Sequence, residues 1–161
     1  MALQPFEEVV AEHGSVVLRV CRALLDPADA DDAWSETFLA ALQAYPRLRP
    51  DSNVRGWLVT IAHRKAIDRI RVAARSPRPV GDVSHAASSH DESVDDIELR
   101  AALASLAPKQ RAAVTYHYLA DLPYNEIGAI LGTTAAAARR SAADGIARLR
   151  RRLSESGTVE R

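Results

Sequence analysis

Between Ser76 and Asp95 the chain reads SPRPVGDVSHAASSHDESVD, with prolines, a glycine, many serines and little aliphatic content. A segment of that composition buries too little apolar surface to offset the entropy of ordering it, so it reads as a flexible linker. The rest of the chain must then form two separate cores, one on each side. Both sides carry apolar residues every three or four positions and neither shows the alternation of a strand, so both cores are helical. The expected fold class is all-α: two small helical domains, residues 1–75 and 97–155, joined by a linker over 76–96 and followed by a tail, 156–161.

From Phe6 to Leu25, the residues Phe6, Val9, Val10, Val16, Val17, Val20 and Leu24 mark one helix face, ended by Asp26-Pro27. A second helix, about Ala28 to Ala44, has Ala33, Trp34, Thr37, Phe38, Ala41, Leu42 and Tyr45 as its stripe. Pro46 and Pro50 impose a loop, because the residue before a proline is pushed out of helical geometry. Asp51 or Ser52 caps a third helix from near Asn53, with Val54, Trp57, Leu58 and Ile61 buried. It continues or kinks into Lys65–Ala74, with Ile67 and Ile70 inward. After the linker, Ile97, Leu99, Leu103 and Leu106 resume the helical period. Pro108 opens a helix bearing Val114, Tyr116, Tyr118 and Leu119, since a first-turn proline loses no hydrogen bond. Pro123 starts Tyr124–Leu131, which Gly132 stops. A last helix runs from Thr133 or Thr134 to about Leu153, with Ala138, Ala142, Ile146, Leu149 and Leu153 inward and Ser154–Arg161 frayed.

The formal net charge of zero conceals an uneven distribution. Residues 1–75 balance ten basic against ten acidic side chains, 76–97 carry a net of minus four, and 98–161 a net of plus four. Within the first segment Arg64, Lys65, Arg69, Arg71 and Arg75 crowd the end, so two basic blocks are poised to meet phosphate. The single cysteine, Cys21, excludes an internal disulfide and a cysteine-rich metal site, and its apolar setting makes it a structural thiol. No apolar run approaches the roughly 20 residues that span a bilayer, and the acidic start MALQPFEEVV is unlike a secretory signal. A soluble, cytoplasmic protein without membrane insertion is expected.

Two stretches carry chemistry. In LPYNEIGAILGTTAAAARRSAADGIARLRRRL, residues 122–153, a short helix, a glycine turn and a longer basic helix form a helix-turn-helix signature, with a plain helical hairpin as the alternative. Gly128 lets the second helix pack close, Gly132 permits the turn, and the N-terminal half of the second helix is offered to a major groove. In NVRGWLVTIAHRKAIDRIR, residues 53–71, one face is apolar and Arg55, His63, Arg64, Lys65, Asp68, Arg69 and Arg71 crowd the other. Asn53, Trp57 and His63 beside a proline-bounded loop favour unpaired nucleic acid over a merely solvated face. Trp57 itself sits at core spacing, which favours packing over stacking. There is no GxSxG, no HExxH, no phosphate-binding glycine loop and no Cys/His cluster, so no catalytic residue, metal ligand or cofactor is assigned.

Taken together, FEEVVAEHGSVVLRVCRALL, DPADADDAWSETFLAAL, RLRPDSNVRGWLVTIAHRKAIDRIR and LRAALASLAPKQRAAVTYHYLADLPYNEIGAILGTT resemble the extracytoplasmic-function class of bacterial RNA polymerase sigma factors. The resemblance covers nearly the whole chain except the linker. It implies a transcription initiation factor that binds core RNA polymerase, through the clamp of the largest subunit and the flap of the second-largest, and promoter DNA. An anti-sigma factor is a further partner that it allows. By position, it puts Asp32, Ser35, Glu36 and Phe38 at the polymerase clamp, with Ser35 in place of the usual glutamine. It puts the loop Tyr45–Ser52 with Asn53 and Arg55 on flipped-out minus-ten bases, and Trp57, His63, Arg64, Lys65, Asp68 and Arg69 along the minus-ten strand and upstream duplex. Thr134, Ala135, Ala136, Arg139, Arg140 and Ser141 fall on the minus-thirty-five helix. There the sequence departs from the family: four alanines precede Arg139 and Arg140, Asp144 would repel phosphate, and Gly145 weakens a helix by about 1 kcal/mol relative to alanine. The alternatives are a helix-turn-helix regulator without polymerase binding and an adaptor that sequesters an anti-sigma factor.

Overall fold

The computed structural model describes residues 3–75 and 93–158. All its regular structure is helical: α1 (Phe6–Leu24), α2 (Pro27–Ala44), α3 (Val54–Arg75), α4 (Val94–Ala104), α5 (Pro108–Val114), α6 (Tyr124–Leu131) and α7 (Ala135–Thr158), with no strand among the described residues. The chain divides into two compact units, Met1–His90 and Asp91–Arg161. The linker expected over Ser76–Asp95 lies, as far as residue 92, outside the described residues. Its last expected residues are helical: Ser93 accepts the Asp96 N–H at 3.2 Å and so caps α4, four residues before the apolar period resumes at Ile97.

In the first unit the helix faces follow the sequence period closely. α1 buries Val9, His13, Val17, Val20, Cys21 and Leu24, α2 buries Ala30, Ala33, Thr37, Phe38 and Ala41, and α3 buries Leu58, Val59, Ala62 and Ala66. The many alanines let these three helices approach one another closely. Two polar side chains of α2 donate to backbone carbonyls. Trp34 Nε1 donates to Gly14 O at 2.8 Å, and Thr37 Oγ1 donates to Ala33 O at 2.6 Å. Asp26 caps α2 by accepting the Asp29 N–H at 3.0 Å, with Pro27 in the first turn. The start of α3 falls to Asn53, whose side chain accepts the Gly56 N–H at 3.4 Å, rather than to Asp51 or Ser52. α3 then runs unbroken for 22 residues. Cys21 is fully buried, and burial, helped by Asp31, pushes its thiol up to about 12.

Not every apolar residue went inside. Leu42 is 51% exposed and Ile70 44%, although both lie on expected inner stripes. The buried places on the same helices are held by alanines, Ala41 one residue before Leu42 and Ala66 four residues before Ile70. In the second unit Ile97, Leu99, Tyr118 and Leu153 are likewise exposed, while Leu103, Leu106, Tyr116, Leu122, Ile127, Ala138 and Ala142 make the core. Of the tail expected to fray, Ser154–Arg161, the described part is helical, and residues 159–161 lie outside the described residues. α7 continues to Thr158, with the Ser154 and Ser156 hydroxyls donating back to Arg150 and Arg152 carbonyls at 2.9 and 3.1 Å.

Two glycines set the second unit's geometry. A Cβ on Gly128 would lie 2.8 Å from Thr133 O, so only glycine lets the chain double back tightly after α6. Gly132 takes the left-handed conformation (φ 70°), and Thr133 N–H donates to Gly128 O at 2.8 Å, closing α6. Gly145 proves to be a packing residue as well: a Cβ there would stand 2.7 Å from Val114 Cγ2 on α5. The helix-propensity loss read from its sequence position is therefore offset by close α5–α7 contact. Between α5 and α6 the chain makes a π turn, Thr115–Leu119, ending with Ala120 N–H on Thr115 O at 3.2 Å.

Gly128→Ala and Gly145→Ala are each expected to lower stability by about 1–3 kcal/mol despite alanine's better helix propensity. Adding Val114→Ala to Gly145→Ala should recover part of the loss. Denaturant unfolding checks this, and a stabilised Gly145→Ala protein would contradict the packing role. A second expectation concerns His13, which is buried with no hydrogen bond to Nδ1. Burial holds its pKa below the ordinary value, Glu12 pulling up and Arg55 pushing down less strongly. The native state thus binds fewer protons than the unfolded one, so stability is intact above about pH 6.5 and falls as pH drops below it. Melting temperatures between about pH 7.5 and 5.5 should decline, and less steeply in His13→Gln; an equal decline in both proteins would exclude His13 as a cause.

Candidate nucleic-acid interface and docking face

The side chains assigned to docking do not share one environment. On α2, Asp32 and Ser35 are exposed and Glu36 is half-buried, spaced so that they lie along one stripe. Phe38 is 6% exposed, with its ring 4.7 Å from Trp34 and 6.3 Å from Phe6, centroid to centroid. A direct contact through Phe38 is therefore withdrawn: the ring anchors α2 to the core. Leu39 (62% exposed) and Leu42 (51%) continue the Asp32–Ser35 stripe outward. Sequence reasoning missed both as surface residues. The available signal was an apolar side chain one turn after Ser35, on the helix's polar side.

Arg69, assigned to DNA, turns toward α2. Its Nη1 lies 3.2 Å from Asp29 Oδ1 and 3.6 Å from Asp32 Oδ2, and its Nη2 lies 2.5 Å from Glu36 Oε1. The position explains this: Leu58, Ala62 and Ala66 form the core stripe of α3, and Arg69 takes its next place. A cation drawn into that stripe needs charged partners. Burial lowers its pKa, but the Glu36 hydrogen bond and the three carboxylates prevail and hold it above the ordinary value.

Around the loop after α2 the aromatic residues form a chain. Phe6 lies 5.3 Å from Tyr45 and Tyr45 lies 6.2 Å from Trp57, and the Tyr45 hydroxyl donates to Gln4 O. These contacts seat the turn Tyr45–Arg47 and make Trp57 a half-buried packing residue. Beside it, Asn53 is exposed and Arg55 half-buried, while Arg47 and Arg49 are exposed. Further along α3, Arg64, Asp68, Arg71 and Arg75 are exposed at helical spacing, with Lys65 and His63 half-buried. Burial and the neighbouring Arg64 hold the His63 pKa below its ordinary value, so the imidazole is mainly neutral near pH 7. The face is cationic through its arginines and Lys65.

On α7, Thr134 accepts the Ala137 N–H at 3.0 Å and caps the helix. Ala136, Arg139 and Arg140 are exposed, Ala135 and Ser141 half-buried, and Ala138, Ala142 and Gly145 face inward. Asp144 is exposed one turn beyond Arg140, on the same face. Arg139 is seated: its guanidinium carbon lies 5.3 Å from the centre of the Tyr124 ring. Tyr124 in turn stacks on His117 at 4.1 Å and 15°, and His117 Nδ1 lies 3.0 Å from Leu122 O. Sequence reasoning missed this relay because it needs the π turn, α6 and α7 together. Among the described residues no group of three or more His, Cys, Asp or Glu is placed to hold a metal ion. No helix there is long and apolar enough to cross a membrane.

Residues 9–76 match the family description Sigma-70 region 2, and residues 96–149 match Sigma-70, region 4. The chain is 32% identical over 161 residues to the RNA polymerase sigma factor CarQ of Myxococcus xanthus, covering 96% of this chain and 92% of that protein. It is 33% identical over 121 residues to the ECF RNA polymerase sigma factor SigC of Mycobacterium tuberculosis, spanning 72% of this chain and 65% of that relative. Among solved structures, CnrH in complex with the cytosolic domain of CnrY is similar with a TM-score of 0.72 and 25% identity, covering 93% of this chain and 88% of that one. The sigma factor RpoE bound to the anti-sigma factor NepR from Bartonella quintana has a TM-score of 0.71 at 20% identity, covering 92% and 98%, a likeness of fold.

If Tyr124 seats Arg139 for phosphate or base contact, Tyr124→Leu should weaken binding of the chain to duplex DNA about two- to fivefold, with Tyr124→Phe near the parent. Fluorescence anisotropy at fixed salt measures this. Equal affinity for the Leu and Phe proteins would show that the ring does not position the cation.

Proposed function

The chain belongs to the extracytoplasmic-function family of RNA polymerase sigma factors, and from that membership we propose that it binds core RNA polymerase, directs it to promoters and opens the minus-ten element. The observation that carries the proposal is the ordered presence on one chain of region 2, over residues 9–76, and region 4, over residues 96–149. The first unit supplies an acidic stripe with exposed leucines beside a cationic helix face. The second supplies a helix-turn-helix. Each is the chemistry that its role requires.

Docking in this reading uses Asp32, Ser35, Glu36, Leu39 and Leu42 against the clamp of the largest subunit, and the second unit meets the flap of the second-largest. Asn53, Arg55, His63, Arg64, Lys65 and Asp68 face the minus-ten strand, with the loop seated by Tyr45 and Trp57 receiving unstacked bases. Opening is then a matter of trapping bases after they leave the stack, without covalent chemistry, so the protein acts as a factor and not as an enzyme. Thr134, Ala135, Ala136, Arg139, Arg140 and Ser141 face the minus-thirty-five duplex, where alanines pack on thymine methyls and arginines meet phosphate or guanine. Most of the DNA affinity is electrostatic and falls with salt. CnrH was solved with the cytosolic domain of CnrY, and a regulatory protein partner of that kind belongs to the proposal, as does a cytoplasmic location.

Run-off transcription with core enzyme on a sequenced promoter library tests the reading. Defined start sites dependent on the chain are expected, whereas absence of core binding at low salt would sink it in favour of a free-standing regulator. Normal partner binding without promoter-specific transcription would point to an adaptor. Arg64→Glu with Lys65→Glu should abolish open-complex formation and spare polymerase binding. Loss of both together would refute the division of labour in the first unit.

A further inference from the structure

Three carboxylates on α2, Asp29, Asp32 and Glu36, recur at intervals of three and four residues and share one helix face. A single cation from α3, Arg69, reaches all three, at 3.2, 3.6 and 2.5 Å. Their exposures differ in a telling way. Asp29 is 16% exposed at its side chain and Arg69 23%, whereas Asp32 is 66% and Glu36 44% exposed. Arg69 and Asp29 thus make a sheltered base, and the two outer carboxylates extend from it toward solvent. The contacts engage one oxygen each of Asp32 and Glu36. The other oxygen of each is left to accept from a partner.

A planar guanidinium is suited to this because its fork directs donors along fixed lines to separate acceptors, which the compact ammonium of lysine does not. Without it, three like charges on adjacent turns would repel, and the flexible Glu36 side chain would sample several rotamers. Holding those rotamers before a partner arrives lowers the entropic cost of association. The cluster retains a net of two negative charges, three carboxylates less one guanidinium, so it remains attractive to a basic surface.

We propose that Arg69 is a positioning residue for polymerase docking, fixing Asp32 and Glu36 in the geometry the polymerase meets, and that it does not contact promoter DNA. The inference rests on the reading that α2 docks on core polymerase. It also links the docking stripe of α2 to the helix that bears Arg64 and Lys65, because the same side chain ties the two helices together.

Three accounts of Arg69 predict different signs, which makes the test decisive. If net charge alone governed docking, Arg69→Ala would make the α2 face more negative and tighten binding to a basic clamp. If Arg69 touched DNA, Arg69→Ala would leave core binding unchanged and reduce promoter opening. Positioning predicts core binding weakened about tenfold, with partial rescue in Arg69→Lys and little further loss when Glu36→Gln is added to Arg69→Ala. Titration of fluorescently labelled full-length chain with core enzyme reads the affinity, and circular dichroism verifies the fold of each variant. Unchanged or tighter binding by a folded Arg69→Ala protein, or additive losses in the double variant, would overturn the proposal. Should Arg69→Ala not fold, Arg69→Lys carries the test: it keeps the charge and loses the fork, so core binding should weaken, and binding equal to the parent would overturn the proposal.

A polymerase-free measurement separates this inference from the functional reading. In nitrogen-15 spectra of the isolated chain, a held Arg69 should show slowed rotation about its Cζ–Nη bonds, released in Glu36→Gln. Fast rotation in the parent protein would refute the positioning geometry. A chain that shows the held arginine yet binds no core polymerase would refute the docking reading and with it the docking role of Arg69.

Discussion

The packing of α2 on α3 is the contact on which the first unit's chemistry depends. Both helices bury small side chains, Ala30, Ala33 and Ala41 on α2 and Ala62 and Ala66 on α3, all with at most 1% exposure. Alanine on both sides brings two backbones close, and close backbones bring the short side chains of Asp29 and Asp32 within reach of Arg69. A larger residue at Ala33 or Ala66 would shift the docking stripe and the cationic face relative to each other, even though neither alanine touches a partner.

The second unit uses glycine where the first uses alanine. Gly145 admits Val114, and Gly128 admits the turn at Thr133 and Thr134, so α7 is pressed against both α5 and α6. That placement brings Arg139 over Tyr124 and leaves Arg140, Asp144 and Arg148 on the open side. A face that alternates basic, acidic and basic on successive turns displaces fewer counterions than one of uniform sign.

How much of this was legible in the sequence depended on how local its cause is. Helix starts and stops at Asp26-Pro27, Pro108 and Gly132 were readable because capping and backbone restriction act within a few residues. The glycine spacing of the helix-turn-helix was readable for the same reason. Arg69's turn toward α2 was not, since its partners lie 33 to 40 residues away and its neighbours Arg64, Lys65 and Arg71 suggested a common face. The exposure of Leu42 and Leu153 was hidden because periodicity identifies a stripe without its width, and alanine cores make narrow stripes. Phe38 illustrates the converse. Its position in the family pattern suggested a docking contact, while its place on the helix stripe, read from the same residues, already put it inside.

The burial of Cys21 has a consequence for its reactivity. It is the chain's sole cysteine, it has 0% exposure, and its thiol is pushed up to about 12. The thiolate is the form that oxidants and electrophiles attack, and burial disfavours it here. With one cysteine in the sequence, no disulfide can form within these 161 residues. Enclosed in the core and held protonated, the Cys21 thiol serves the folded first unit as a small apolar packing group on the buried face of α1.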